Sequence, residues 1–77
     1  MFINLTIETR SGRQDVRIDS EQKIGDGVAI LRQHGKLRLD QPPDYYRSRM
    51  SQKLVSAYRT FTEERIFDGD ILTAVEN

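Results

Sequence analysis

Two hydrophobic periods meet within the first 31 residues, and their order restricts the fold more than any other feature of this sequence. Residues 2–8 alternate: Ile3, Leu5 and Ile7 fall on one side, and Phe2, Asn4, Thr6 and Glu8 on the other. Period two with β-branched residues predicts a strand with one buried face. Thr9-Arg10-Ser11-Gly12-Arg13 predicts a turn, with Gly12 free to adopt a positive φ. Alternation resumes with Val16 and Ile18 inward and Asp15, Arg17 and Asp19 outward, so the first 19 residues predict a β-hairpin. From Ile24 the period changes. Ile24, Val28 and Leu31 sit at i, i+4 and i+7 with Gly27 at i+3, which is one face of a helix.

The ends of that helix have their own signals. Ser20 is the expected N-cap, Glu21 suits a first turn, and Gly35 is the expected stop after Arg32-Gln33-His34. Gly25 and Gly27 each cost a helix about 1 kcal/mol relative to alanine. Tertiary packing or a close backbone contact must therefore hold this segment down.

Beyond the helix the chain returns to short strands. Pro42-Pro43 forbids a helix or a central strand, so residues 36–44 are a connector docked by Leu37 and Leu39. Tyr45 to Met50 predict a third strand, with Tyr46, Ser48 and Met50 on one side and Tyr45, Arg47 and Arg49 on the other. Leu54 to Tyr58 predict a fourth. Residues 60–66 predict a helical turn, Asp68-Gly69-Asp70 a tight turn, and Ile71 to Val75 the last strand. Hairpin, helix and returning strands make an α+β chain of the β-grasp type, in which one helix packs across one face of a mixed sheet. The first and last strands then lie side by side and parallel at the centre. Ile24, Val28 and Leu31 would pack on Ile3, Leu5, Val16, Ile18, Leu72 and Ala74.

Size and composition limit the function. With 77 residues the expectation is one domain, 1–77, with little material for a deep cleft of the roughly 300–1,000 Å³ that ligand sites use. Leu, Ile, Val and Phe supply 20 of the 77 residues, enough for a folded core. The chain has no cysteine, which removes thiolate metal sites and cysteine nucleophiles and favours a reducing compartment. The longest apolar run is Val28-Ala29-Ile30-Leu31, too short for a signal peptide or a membrane span. These features predict a cytoplasmic protein with no direct membrane insertion.

The formal net charge of zero conceals segments of unequal charge. Arg32, Lys36, Arg38, Arg47, Arg49, Lys53 and Arg59 face only Asp40 and Asp44 within residues 32–59, a net +5. Residues 60–77 set Arg65 against Glu63, Glu64, Asp68, Asp70 and Glu76, a net −4. Either the charges interleave and cancel in space, or the protein has a basic face and an acidic end.

No catalytic constellation emerges. His34, the single histidine, suits a solvated helix end, and no nucleophile or orienting carboxylate can be placed beside it. Gly25-Asp26-Gly27 lacks the third glycine of a dinucleotide fingerprint. Glu63-Glu64 fits a solvated turn better than an acid/base pair. Asp68 and Asp70 offer too few oxygens for a calcium loop and are expected to brace their own turn. The expectation is no enzyme, no cofactor and no metal.

The segment Arg65-Ile66-Phe67-Asp68-Gly69-Asp70-Ile71-Leu72 carries a resemblance. An Ile, a short spacer, Gly-Asp, then Leu opening the last strand is similar to the ending of ubiquitin-like proteins. The chain resembles them from end to end in element order and spacing. More narrowly it resembles the YukD/EsaB family of small ubiquitin-like proteins found with bacterial type VII secretion systems; Lys53-Leu54 after a turn and Phe61 before the acidic pair fit too. Gly25 and Gly27 depart from the family, where better helix formers are usual. The resemblance implies a non-catalytic adaptor or accessory protein. Its partner would be a protein, a membrane component of the secretion machine, and nucleic acid is not expected.

The sequence ends Ala74-Val75-Glu76-Asn77 rather than in the diglycine of conjugated modifiers and sulfur carriers, so a modifier or carrier role would need tail processing. A small nucleic-acid-binding domain is a further alternative, through Tyr45 stacking beside Arg47 and Arg49. Ubiquitin-like proteins usually bind partners on the open sheet face. Here that face would comprise Phe2, Asn4, Thr6, Arg47, Arg49, Ile71, Thr73 and Val75. Phe2, Ile71 and Val75 would form an apolar patch with Arg47 and Arg49 as a cationic rim.

Overall fold

A computed structural model describes residues 1–76. Two long strands, β1 (Phe2–Thr9) and β2 (Gly12–Asp19), pair antiparallel across a tight turn, with Ile3 opposite Ile18 and Leu5 opposite Val16. Helix α1 (Ile24–Gln33) follows, then β3 (Tyr45–Ser48), β4 (Leu54–Ser56) and β5 (Ile71–Ala74). The sheet order is β2-β1-β5-β3-β4. Strands β1 and β5 are parallel at its centre, with Ile7 opposite Leu72, as the alternation and element order predict. One helix across one face of a mixed five-stranded sheet is the β-grasp arrangement.

The core lies between helix and sheet. Ile3, Leu5, Ile7, Val16, Ile18, Leu72 and Ala74 face it from the strands, and Ile24 and Val28 from the helix, all buried. Leu31 is only partly buried at its edge. Leu37 and Leu39 fasten the connector as expected. Phe61 and Ile66, from the turn after β4, close the core beneath the start of the helix. The Tyr46 side chain is also fully buried, and burial pushes its phenol up to about 12.

The helix start differs from the sequence expectation. Ser20 does not cap it; the N-cap is Lys23, with no side-chain cap bond. The first-turn N–H groups are satisfied at long range instead. Ile24 N–H donates to the Arg59 carbonyl at 2.9 Å and Gly25 N–H to the Ala57 carbonyl at 2.8 Å. Ser20 belongs to the hairpin: its N–H donates to the Met1 carbonyl, and its own carbonyl accepts the Thr62 N–H. Neighbouring atoms therefore stand where side chains would. A Cβ on Gly25 would meet the Ala57 oxygen at 3.0 Å, and one on Gly27 would overlap Ile18 Cδ1. These contacts are the reason a helix this short keeps two glycines.

Three strand ends also fall short of expectation. β3 stops at Ser48 rather than Met50, because Met50 N–H turns to the Asp70 carboxylate at 3.1 Å, and Met50 itself is exposed. β4 stops at Ser56 rather than Tyr58, because the Ser56 hydroxyl accepts the Tyr58 N–H at 3.1 Å and bends the chain away. β5 ends at Ala74, although Val75 N–H still reaches the Tyr45 carbonyl.

Candidate functional site

The open face is assembled by strand parity. Residues alternate with the core positions, so β1 presents Phe2, Asn4, Thr6 and Glu8, and β5 presents Ile71 and Thr73. β3 presents Tyr45 and Arg47, and β4 presents Leu54. Register aligns one row across the whole sheet: Arg13, Glu8, Thr73, Arg47 and Leu54, one from each strand. Arg49 lies just beyond β3, its N–H on the Ile71 carbonyl at 2.9 Å.

Glu8 organises the middle of this row. Its Oε2 accepts Arg13 Nε at 2.7 Å, and its Oε1 accepts the Thr73 hydroxyl at 2.9 Å. Arg49 reaches the same Oε1 at 3.9 Å. The Arg13 hydrogen bond, then the Thr73 hydroxyl, hold the Glu8 carboxyl below its ordinary value. Arg47, next in the row, has no carboxylate partner among the described residues. The row thus carries one ion pair anchored on Glu8 and one uncommitted guanidinium. Sequence alone does not single out Glu8, because its partner Thr73 lies 65 residues away.

All eight sequence-predicted residues fall on the open face or at its ends, but not as one patch. Phe2 lies at the far end of β1, opposite Asp19, under the Arg17 guanidinium at 5.3 Å. Ile71 is level with Thr6, four residues and so roughly 13 Å along the strand. The apolar group that does form is elsewhere. Val75 bonds to Tyr45, and Tyr45 and Leu54 flank Arg47 on β3 and β4, each 52% exposed. Leu54 is legible in the sequence as the start of a strand, but not as an open-face residue, because a three-residue strand is too short to show its alternation.

The cations of residues 32–59 are spread over several elements. Arg32, Lys36 and Arg38 lie at the end of the helix and in the connector, Arg47 and Arg49 lie on the open face, and Arg59 pairs with Glu64 at 3.3 Å. Each acidic side chain of the tail accepts a backbone N–H: Glu63 from Thr60, Glu64 from Ser56, Asp68 from Asn4, Asp70 from Met50 and Ile71, and Glu76 from Arg10. Thr60 and Glu63 form a reciprocal capping box, since the Thr60 hydroxyl accepts the Glu63 N–H. Those carboxylates are committed to structure. His34 is the exposed C-cap of α1. An open groove of about 660 Å³ lies between the hairpin tip and the Pro42-Pro43 connector and takes in Tyr45 and Val75 at its rim.

A pH dependence follows from Glu8. Its folded-state pKa lies below the unfolded one, so its contribution is complete above the ordinary value of 4.5 and is lost as pH falls through the lower folded value. Asp19, bonded by Glu21 N–H, and Glu63, bonded by Thr60 N–H, are lowered in the same sense. Thermal melts should show Tm falling as pH drops below 4.5, with a shallower fall in Glu8→Gln. Parallel curves for the two proteins would remove Glu8 from the account.

No family model matches the chain, and no curated protein matches it. Solved structures do. The chain is similar to the ubiquitin-like domain of Dsk2 from Plasmodium falciparum, with 21% identity over 96% of this chain and 99% of that one, at a TM-score of 0.61. It is also similar to the EccD5 ubiquitin-like domain from Mycobacterium xenopi, with 17% identity over 100% of this chain and 98% of that one, at a TM-score of 0.54. Among the described residues no helix is long and apolar enough to cross a membrane. Sheet order, helix placement and these similarities agree: the chain has the ubiquitin-like β-grasp fold.

Proposed function

We propose that this protein is a non-catalytic adaptor that docks a protein partner on its open sheet face, as an accessory of a bacterial type VII secretion system in the cytoplasm. The observation that carries the docking surface is the uncommitted Arg47 between half-exposed Tyr45 and Leu54. Arginine beside an exposed tyrosine is the composition of an interface centre, and Leu54 adds apolar area next to it. A partner segment with a carboxylate for Arg47 and an apolar side chain for Tyr45 and Leu54 would fit it. The pathway rests on the resemblance of Arg65–Leu72 to the YukD/EsaB ending, within a fold that a mycobacterial ubiquitin-like domain shares over its full length.

Affinity capture from the native host tests both parts. Wild type should retain a membrane component of the secretion machine, and Arg47→Glu/Arg49→Glu should lose it. Equal retention by both proteins would place the docking surface elsewhere. Retention that depends on the arginines but recovers no secretion component would leave the surface and remove the pathway.

A further inference from the structure

The two edges of the sheet are treated differently by the sequence. β4 is three residues long, and the Ser56 N–H on it is taken by Glu64 Oε2 at 2.7 Å. That edge is short and sealed. β2 is eight residues long, and its outer side is free. The Thr6 N–H points to Asp70 on the β5 side, and the Ser20 N–H points back to Met1. Even-numbered residues of β2 therefore bond to β1, and the backbone N–H and C=O groups of Arg13, Asp15, Arg17 and Asp19 point outward. A free edge of this length is a template for another strand.

The side chains on that edge alternate in sign: Arg13, Asp15, Arg17, Asp19. All four are on the open face. Alternating charge usually keeps sheet edges apart, but this pattern is complementary to itself in one register. Place a second copy antiparallel, with the two-fold axis through Val16. Arg13 then faces the second copy's Asp19, and Asp15 faces its Arg17, so every directly opposed pair is of opposite sign. These are also the residues whose backbone groups point outward, so the same register makes the ladder hydrogen bonds. Sliding by two residues either way sets arginine against arginine and aspartate against aspartate. The internal contacts leave the charges usable. Arg13 binds Glu8 through Nε alone, Asp15 receives the Thr6 hydroxyl on one oxygen, and Arg17 lies over the Phe2 ring with no carboxylate partner among the described residues. The Asp19 carbonyl already accepts the Gln22 N–H, and its Oδ1 already holds the Met1 ammonium at 3.3 Å and the Glu21 N–H at 3.0 Å, so the outer pairs are weaker than the central ones.

We infer that two copies of this chain associate through their β2 edges, about a two-fold axis at Val16, into one continuous sheet. The two open faces then adjoin on one side and the helices lie on the other. The contact is small, and the dimer is expected to populate at about 0.1–1 mM.

Sedimentation equilibrium on the 77-residue chain tests this. Wild type should rise from 9.0 kDa toward twice that mass with concentration. Asp15→Arg and Arg17→Asp, separately, set like charges opposite each other and should weaken association by about tenfold or more. One single variant carries arginine at both central positions and the other carries aspartate at both. Mixed one to one, they oppose unlike charges at every central pair and should form a heterodimer. The double variant Asp15→Arg/Arg17→Asp should self-associate like wild type. Wild type that stays at 9.0 kDa up to about 1 mM overturns the proposal. So do single variants that dimerise like wild type, or a mixture of folded variants, checked by circular dichroism, that does not associate.

Discussion

Asp70→Ala should lower stability by about 3–5 kcal/mol and Tm by roughly 15–25 °C. Asp70 is 1% exposed, between the end of β3, the start of β5 and the middle of β1. Its Oδ2 accepts the Ser48 hydroxyl at 2.5 Å, and its Oδ1 accepts the Met50 N–H at 3.1 Å and the Ile71 N–H at 2.7 Å. Its backbone carbonyl accepts the Thr6 N–H. One residue therefore continues the β1–β5 ladder with its main chain and ties β3 to β5 with its side chain. Alanine leaves a buried hydroxyl and two part-buried amides without that acceptor, and such orphaned groups cost about 1–3 kcal/mol each, less where water reaches them. Asp70→Asn keeps the shape and one carbonyl oxygen, so it should lose only about 1–2 kcal/mol. Chemical denaturation of the three proteins measures this. If alanine and asparagine cost the same small amount, the network contributes little.

That network also marks the boundary of what is legible in the sequence. Alternation in Phe2–Glu8 and the i, i+4, i+7 set at Ile24 predict the hairpin and the helix, because each depends on side chains a few positions apart; the central parallel pair, Thr6 opposite Ile71, follows only from the order of the elements. The Gly69 turn is visible too, and φ there is +87°. Local reasoning has its two aspartates brace that turn. Asp70 does accept the adjacent Ile71 N–H, but Asp68 reaches Asn4 N–H, 64 residues away, at 2.7 Å, and Asp70 reaches Ser48 and Met50. The start of the helix is misplaced from sequence for the same reason, since its caps are carbonyls from Ala57 and Arg59. On the open face, parity decides membership and register decides adjacency. Phe2 and Ile71 share a face by counting in twos, as Tyr45 and Arg47 do, yet only strand pairing shows that Leu54, not Phe2, stands opposite Arg47.

Gly27 offers a test in which local and tertiary physics predict opposite signs. Helix propensity alone says Gly27→Ala gains about 1 kcal/mol. Packing says it loses. The added Cβ would overlap Ile18 Cδ1 and stand 3.2 Å from Ile18 Cγ1 and 3.3 Å from the Phe61 ring, and both neighbours are buried. Ile18 can shift its terminal methyl, but only into a filled core, and overpacking of that kind costs about 1–3 kcal/mol. Gly27→Ala should therefore be destabilising by about 1 kcal/mol net. Gly27→Val, which adds two further methyl groups on the same bond, should lose about 2–3 kcal/mol. Ile18→Val removes the methyl in closest contact. In the Gly27→Ala/Ile18→Val double variant the loss should be smaller than the sum of the single losses, by about 0.5–1 kcal/mol. Denaturant midpoints for wild type, the two single variants and the double variant give the cycle. A rise in stability for Gly27→Ala, or strict additivity with Ile18→Val, would mean that the helix does not press on β2 at this point. Gly27 would then be only a weak helix position rather than the contact that seats α1 on the sheet.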